Sequence, residues 1–158
     1  MVKRGRKMQK SIEHNKQVVE DLGKLLADTY TLFLKTQNFH WNVTGPLFYS
    51  LHLMFESQYE ELYEAIDIIA ERIRALGHHS PGSFAEFSKL TQIKEASQHL
   101  DANEMLTQLM FDHHQIANLA YKILETTKAQ HDEGTMDIVI DRIKAHEKTI
   151  WMLKSCLG

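Results

Sequence analysis

Residues 39–46 read FHWNVTGP and separate two long helical patterns. On both sides of this stretch, over residues 12–41 and residues 48–76, apolar residues recur at steps of three and four. That periodicity places them along one face of a helix. Gly45 and Pro46 end the first helix and begin the second after a short connection, so the sequence predicts an antiparallel helical hairpin.

A second pair of helices is predicted beyond a long crossover at residues 77–100, which contains its own short helix over residues 83–90. Asp101 and Glu104 have the spacing of a capping box and open a helix that runs to about residue 129. Thr135 is predicted to cap the last helix. Two hairpins joined by one long link predict an all-α protein, a ferritin-like four-helix bundle whose crossover and short helix lie between the second and third helices.

Composition excludes several other classes of protein. The chain has 158 residues, of which 43% are apolar and 25% charged, as expected for a single domain. With 7 Gly and 2 Pro it lacks the turn residues of a many-stranded sandwich or barrel, and the lone Cys156 excludes a disulfide framework. We find neither a membrane span nor a secretory signal, so we expect a cytoplasmic protein.

Charge is divided unevenly along the chain. The formal net charge is −3, yet the first ten residues contain no acid and five cations: Lys3, Arg4, Arg6, Lys7 and Lys10. The sequence therefore predicts a flexible basic tail over residues 1–11 and an acidic bundle domain over residues 12–158. The tail either keeps the protein in solution or contacts DNA phosphates, which would make the protein nucleoid-associated.

The predicted second helix contains two groups of metal-ligand side chains. His52, Glu56, Asp67 and Glu71 project at about 0°, 40°, 60° and 100° around the helix axis, and so share one side of it. His40 lies just across the turn. Imidazoles combined with carboxylates, without thiolates, suit iron or manganese. Taken singly, each of these residues is also explained as a core histidine or a solvated acid.

Distance decides how these residues combine. His52 and Asp67 are roughly 22 Å apart along a helix, so they cannot share an ion within one chain. No Glu in the sequence is followed three residues later by His, so the usual ferritin-like site within one bundle is missing. We therefore predict that two copies of the second helix pack antiparallel about a two-fold axis near residues 61 and 62. One subunit would supply His40, His52 and Glu56, and the other Asp67 and Glu71.

The same residues resemble a known family. The stretch at residues 40–46, together with Leu51-His52, Phe55-Glu56, Asp67 and Ala70-Glu71-Arg72, is similar to the Dps family of mini-ferritins, the DNA-protecting proteins of starved bacteria. The likeness runs from about residue 12 to the C-terminus and includes residues 146–153. It implies a hollow dodecamer with ferroxidase sites between subunits, in which His40, His52, Glu56, Asp67 and Glu71 are the iron ligands.

The resemblance also implies the chemistry. Fe²⁺ would be oxidised, preferentially by hydrogen peroxide, and ferric oxyhydroxide would be deposited in the cavity. Glu56 stands where several members of the family carry Asp, and Trp41 lies beside the site in the family pattern, although an aromatic core residue explains it equally well. Acids at Asp132, Asp137 and Asp141 would line three-fold pores for iron entry, or else they only stabilise the start of a helix.

Three functions stay open at this point: an iron-oxidising storage enzyme, a nucleoid-binding protein that works through its tail, and a helical assembly module without metal. The remaining histidines, including the pairs His78-His79 and His113-His114, match no ligand motif and are predicted to be surface or interface groups that titrate near pH 6.5.

Overall fold

The computed structural model describes the backbone of residues 2–157 and the side chains from residue 15 onward. Five helices and no strand occur in this part of the chain: α1 (Val2–Asn42), α2 (Phe48–Ala75), α3 (Phe84–Leu90), α4 (Ala102–Gln130) and α5 (Glu133–Leu157). Helix α1 packs against α2 and α4 packs against α5, while contacts of α1 with α4 and of α2 with α5 close the bundle. The predicted four-helix bundle with a helical crossover is confirmed.

The break between α1 and α2 has the tight geometry that the sequence predicts. The Val43 N–H donates to the Phe39 carbonyl at 2.9 Å, and the Phe48 N–H donates to the Gly45 carbonyl at 3.0 Å. Gly45 has a φ of +103°, a left-handed conformation that favours glycine because a side chain would be strained there. The connection holds the end of α1 beside the start of α2.

Several helix ends can be compared with their predictions. The capping box of Asp101 and Glu104 is present, and Ser83 caps α3. Helix α1 begins at Val2 rather than near residue 12. The prediction of a flexible basic tail at residues 1–11 concerns Met1 and side chains that lie outside the described part of the structure, so it stays a prediction.

The predicted cap of the last helix was wrong. Helix α5 begins at Glu133, and Asp132, rather than Thr135, acts as its cap. The Asp132 carboxylate accepts from the Thr135 N–H at 3.1 Å and from its hydroxyl at 2.6 Å. Asp and Thr can both cap a helix. Here the Asp132 carboxylate accepts two hydrogen bonds and carries a negative charge at the helix start, so it stabilises the first turn better than the Thr135 hydroxyl would.

The interior of the bundle is apolar except for a few buried polar side chains. Large side chains such as Leu22, Phe39 and Phe55 are fully buried. Lys35 of α1 forms a buried ion pair with Asp112 of α4, with 2.7 Å between Nζ and Oδ2. Burial raises the pKa of Asp112 against the opposing effect of Lys35. Among residues 2–157, no helix combines the length and the apolar character needed to cross a membrane.

Candidate metal centre

The tight turn between α1 and α2 joins two of the predicted ligands into one unit. His40 Nδ1 lies 2.8 Å from the carbonyl oxygen of His52, and His52 Nδ1 lies 2.9 Å from the carbonyl oxygen of His40. The two imidazole rings stack with 3.8 Å between their centroids and 15° between their planes. Each histidine thus fixes the orientation of the other.

This exchange of hydrogen bonds also fixes which nitrogen carries the proton. A backbone carbonyl only accepts hydrogen bonds, so each neutral ring holds its proton on Nδ1 and donates it. The lone pair of each Nε2 then stays available. A hydrogen bond from the second ring nitrogen to a carbonyl is the usual way in which proteins orient metal-binding histidines.

The surroundings of the two rings are largely aromatic. His40 is buried and His52 is half-buried. The ring of Tyr59 meets His40 edge to face at 5.2 Å, and Phe48 stacks on His52 at 5.2 Å. Glu56 is half-buried one turn after His52 on the same helix. We call His40, His52 and Glu56 the proximal group.

The two remaining predicted ligands lie at the other end of α2. Asp67 and Glu71 are one turn apart, and both are exposed in the single chain. Within residues 15–157 of one subunit, no three His, Cys, Asp or Glu side chains are close enough together to hold a metal ion. We call Asp67 and Glu71 the distal group. One chain therefore pairs His40 with His52 and places Asp67 one turn from Glu71, but it assembles no complete metal site within residues 15–157.

Helix α2 also leaves apolar side chains uncovered. Leu53 is 43% exposed, Tyr63 67% and Ile68 51%, all between or beside the two groups of candidate ligands. Next to the proximal group, Trp41 is 61% exposed, so it is not a core residue of this chain. A run of exposed large apolar residues on one helix is typical of a surface that another protein covers.

The three acids predicted to line a pore have different surroundings. Asp132 is bound within the subunit, because Arg72 Nη2 lies 2.7 Å from its Oδ1. Burial raises the pKa of Asp132, but hydrogen bonds from Thr135 and the Arg72 cation outweigh that effect and lower it. Asp137 and Asp141 are both exposed, and Asp141 pairs with Lys144 at 2.6 Å. The pore stays a prediction. Asp132 already pairs with Arg72 and so holds α2 against the start of α5.

The surface prediction was wrong for two histidines. His113 and His146 are both buried, and 2.7 Å separates their Nδ1 atoms. His78 is half-buried, whereas His79 and His114 are exposed. Helical spacing contained the missing signal, because His113 stands between Leu109 and Ile116 on the apolar face of α4. His146 occupies a matching place on α5.

The buried histidine pair predicts a specific dependence of stability on pH. Burial, with Arg142 as a further cause, lowers the pKa of His113 to about 3. Burial, His113 and Arg142 lower the pKa of His146 as well. Below about pH 6.5 these histidines bind protons in the unfolded chain but stay neutral in the folded chain. The free energy of unfolding therefore falls as the pH drops towards 3, by up to about 1.4 kcal/mol per pH unit for each histidine.

Urea unfolding across this pH range tests the prediction. A double substitution, His113→Leu with His146→Leu, should flatten the loss of stability on acidification, because the proton-binding groups are gone. The matched control is His79→Ala, which removes an exposed histidine and should leave the slope unchanged. Equal slopes in the wild type and the double variant would contradict the assignment.

The basic residues predicted to contact DNA, Lys3, Arg4, Arg6, Lys7 and Lys10, have side chains outside the described part of the structure.

Comparison with known proteins adds independent information. A family model for the ferritin-like domain matches residues 19–158. The chain is 41% identical over 145 residues to an uncharacterized low temperature-induced protein of Nostoc sp., covering 90% of this chain and 81% of the relative. It is 38% identical over 144 residues to DNA protection during starvation protein 2 of Bacillus anthracis, covering 91% of this chain and 99% of the relative.

A solved structure agrees with these relatives. The Dps protein from Vibrio cholerae O1, described as a member of a broad superfamily of ferritin-like diiron-carboxylate proteins, superposes with a TM-score of 0.90 at 32% identity. The superposition covers 93% of this chain and 92% of that one.

Proposed function

The chain belongs to the Dps family of ferritin-like proteins, and on that premise we propose that it oxidises Fe²⁺ and sequesters the ferric product at sites shared between two subunits. The single observation that carries the proposal is the reciprocal bonding of His40 and His52, which leaves both Nε2 lone pairs available for a metal. Iron is the substrate here, as the diiron-carboxylate description of the Vibrio cholerae relative supports.

The length of α2 supports the sharing of sites. At 1.5 Å per residue, His52 and Asp67 are roughly 22 Å apart along the helix axis. Two α2 helices packed antiparallel about a two-fold axis would bring the proximal group of each subunit to the distal group of the other. The exposed apolar side chains of α2 support such packing, since they would be buried in the interface. A dodecameric shell with an internal ferric mineral is the assembly that the family implies.

The ligand set suits turnover of iron. Two neutral imidazoles and a few carboxylates bind Fe²⁺ without the strong hold of thiolates, and the carboxylates favour the harder Fe³⁺ product. With hydrogen peroxide as oxidant, two Fe²⁺ ions supply the two electrons: 2 Fe²⁺ + H₂O₂ + 2 H⁺ → 2 Fe³⁺ + 2 H₂O. Reduction of peroxide by two electrons together avoids release of hydroxyl radical, which would protect the cell against oxidative stress.

Anaerobic titration with Fe²⁺ tests this function. We expect saturable binding that approaches about two Fe²⁺ per shared site, as in other di-iron carboxylate proteins. The Glu64→Ala variant is the control, because Glu64 is an exposed acid of α2 outside both ligand groups. Absence of saturable binding in the wild type would favour an assembly module without metal.

A second candidate function is DNA binding through the basic N-terminal segment, which has five cations and no acid in ten residues. The acidic remainder of the chain should be repelled by DNA, so affinity would come from many such segments acting together on one duplex. Deletion of residues 1–10 should abolish retention of DNA at low salt. Replacing the five cations with Gln, which keeps the length, should have the same effect, and unchanged retention in both variants would exclude this function.

A further inference from the structure

A line of aromatic rings leads away from the proximal group. Tyr59 meets the ring of His40, and Phe33 meets Tyr59 with 6.1 Å between their centroids. Phe33 in turn lies 5.9 Å from the ring of Tyr30 and 6.0 Å from that of Tyr63. Three of the four rings beyond the histidine are the phenols of tyrosines. Phenol and indole are the side chain groups that give up one electron and one proton most readily.

The positions of these phenols differ in a useful way. Tyr59 is half-buried against a candidate ligand, whereas Tyr63 is 67% exposed one turn further along α2. Tyr30 is half-buried and stacks on Phe87 at 4.8 Å. An oxidising equivalent formed at Tyr59 therefore has a path over packed rings to phenols farther from the iron ligands.

Iron chemistry at the proximal group creates a need for such a donor. Reduction of hydrogen peroxide to water takes two electrons, and a single Fe²⁺ supplies only one. When only one iron is bound, the second electron must come from elsewhere, or hydroxyl radical is released. This step rests on the proposed function, because it requires Fe²⁺ and peroxide to react at these ligands.

We propose that Tyr59 supplies the second electron to peroxide when a shared site holds a single Fe²⁺. The balance is Fe²⁺ + H₂O₂ + TyrOH → Fe³⁺ + OH⁻ + H₂O + TyrO•. Iron and the Tyr59 phenol are each oxidised by one electron, the O–O bond breaks, and the phenolic hydrogen ends in water. The oxidising equivalent then passes by way of Phe33 to Tyr30 or Tyr63, away from the ligands.

Trp41 is the competing donor, since its exposed indole follows His40 directly in the sequence. The geometry favours Tyr59. Its ring touches that of His40, whereas Trp41 takes part in none of the ring contacts found over residues 15–157.

Freeze-quench electron paramagnetic resonance of the full-length protein tests the proposal. Fe²⁺ and hydrogen peroxide are mixed with the wild type, and the organic radical is measured per ferric iron formed. Growth on ring-deuterated tyrosine identifies a tyrosyl signal. The variant is Tyr59→Phe, which keeps the ring against His40 and removes only the hydroxyl. The control is Tyr121→Phe, because Tyr121 is an exposed phenol on α4 bonded to Glu147 of α5.

We expect a tyrosyl radical in the wild type and in Tyr121→Phe, and its loss in Tyr59→Phe. The yield per ferric iron should be highest at one Fe²⁺ per site and should fall when a second iron is supplied. Formation of ferric iron without an organic radical, or an equal yield in Tyr59→Phe, would overturn the role of Tyr59 while leaving the proposed function standing. A signal lost only in Trp41→Phe would assign the electron to the indole instead. If the wild type forms no ferric iron, the proposed function itself fails.

Discussion

His52→Ala is expected to slow peroxide-driven oxidation of Fe²⁺ by roughly a hundredfold or more. Substitution of a residue that only supports a metal ligand lowers metal affinity or activity about 10–100-fold, and loss of the ligand itself should cost at least as much. The variant also removes the hydrogen bond that orients the backbone carbonyl of His40 and the stacking that holds the His40 ring. The measurement is the initial rate of ferric iron formation under equal iron and peroxide.

The same substitution should leave the fold intact. His52 is only half-buried, and the packing of α2 depends on neighbours such as Leu51, Phe55 and Leu62, which are fully buried. Helical circular dichroism and the melting temperature should therefore stay near those of the wild type. Asp67→Ala should give a similar loss of rate, whereas Glu64→Ala should not. A wild-type rate in His52→Ala would show that the proximal group is not the iron site.

Asp112→Ala is expected to lower the free energy of unfolding by about 3–5 kcal/mol, the range found when one member of a buried ion pair is removed. Lys35 is only 4% exposed, and its Nζ lies 2.7 Å from Asp112. Without the carboxylate, the ammonium keeps only its bond to the Lys94 carbonyl at 3.0 Å. Urea unfolding at neutral pH measures the loss.

A double substitution separates the cost of a lone buried charge from the cost of lost packing. Lys35→Met with Asp112→Leu replaces both charges by apolar side chains of similar size, and stability should return to near the wild-type value. The exposed pair of Lys128 and Glu125 provides the control, since Glu125→Ala should cost at most about 1 kcal/mol. A small effect of Asp112→Ala would mean that Lys35 finds another partner or water.

The fold could be predicted largely because its signals are local. The apolar periodicity of α1 and α2, the break at Gly45 and Pro46, and the capping box at Asp101 each depend on residues close together in the sequence. The two errors have different causes. Asp132 caps α5 through bonds from Thr135 only three residues later, so both residues were local candidates for the cap, and the bond from Arg72 of α2 adds a distant partner. Helical spacing indicates the burial of His113, but its contact with His146 of α5 depends on a residue distant in the sequence.

The features of the candidate site also differ in how far they depend on nearby residues. That His40 lies beside His52 follows from a short turn, so the sequence was sufficient to predict it. The exchange of bonds that fixes both ring tautomers was not predictable, because it depends on where two backbone carbonyls point. The meeting of the proximal and distal groups depends on a second subunit, and helix length alone supplies the argument that one subunit is not enough.

Each iron site is proposed to take ligands from two subunits, and co-assembly of two inactive variants tests this sharing. His52→Ala disables the proximal group and Asp67→Ala disables the distal group, so each variant alone has no complete site. In a dimer that contains one of each, one site has both defects and the other has only wild-type ligands. Random co-assembly should therefore restore about a quarter of the wild-type rate. A rate no greater than that of the two variants measured separately would contradict sharing across the two-fold axis.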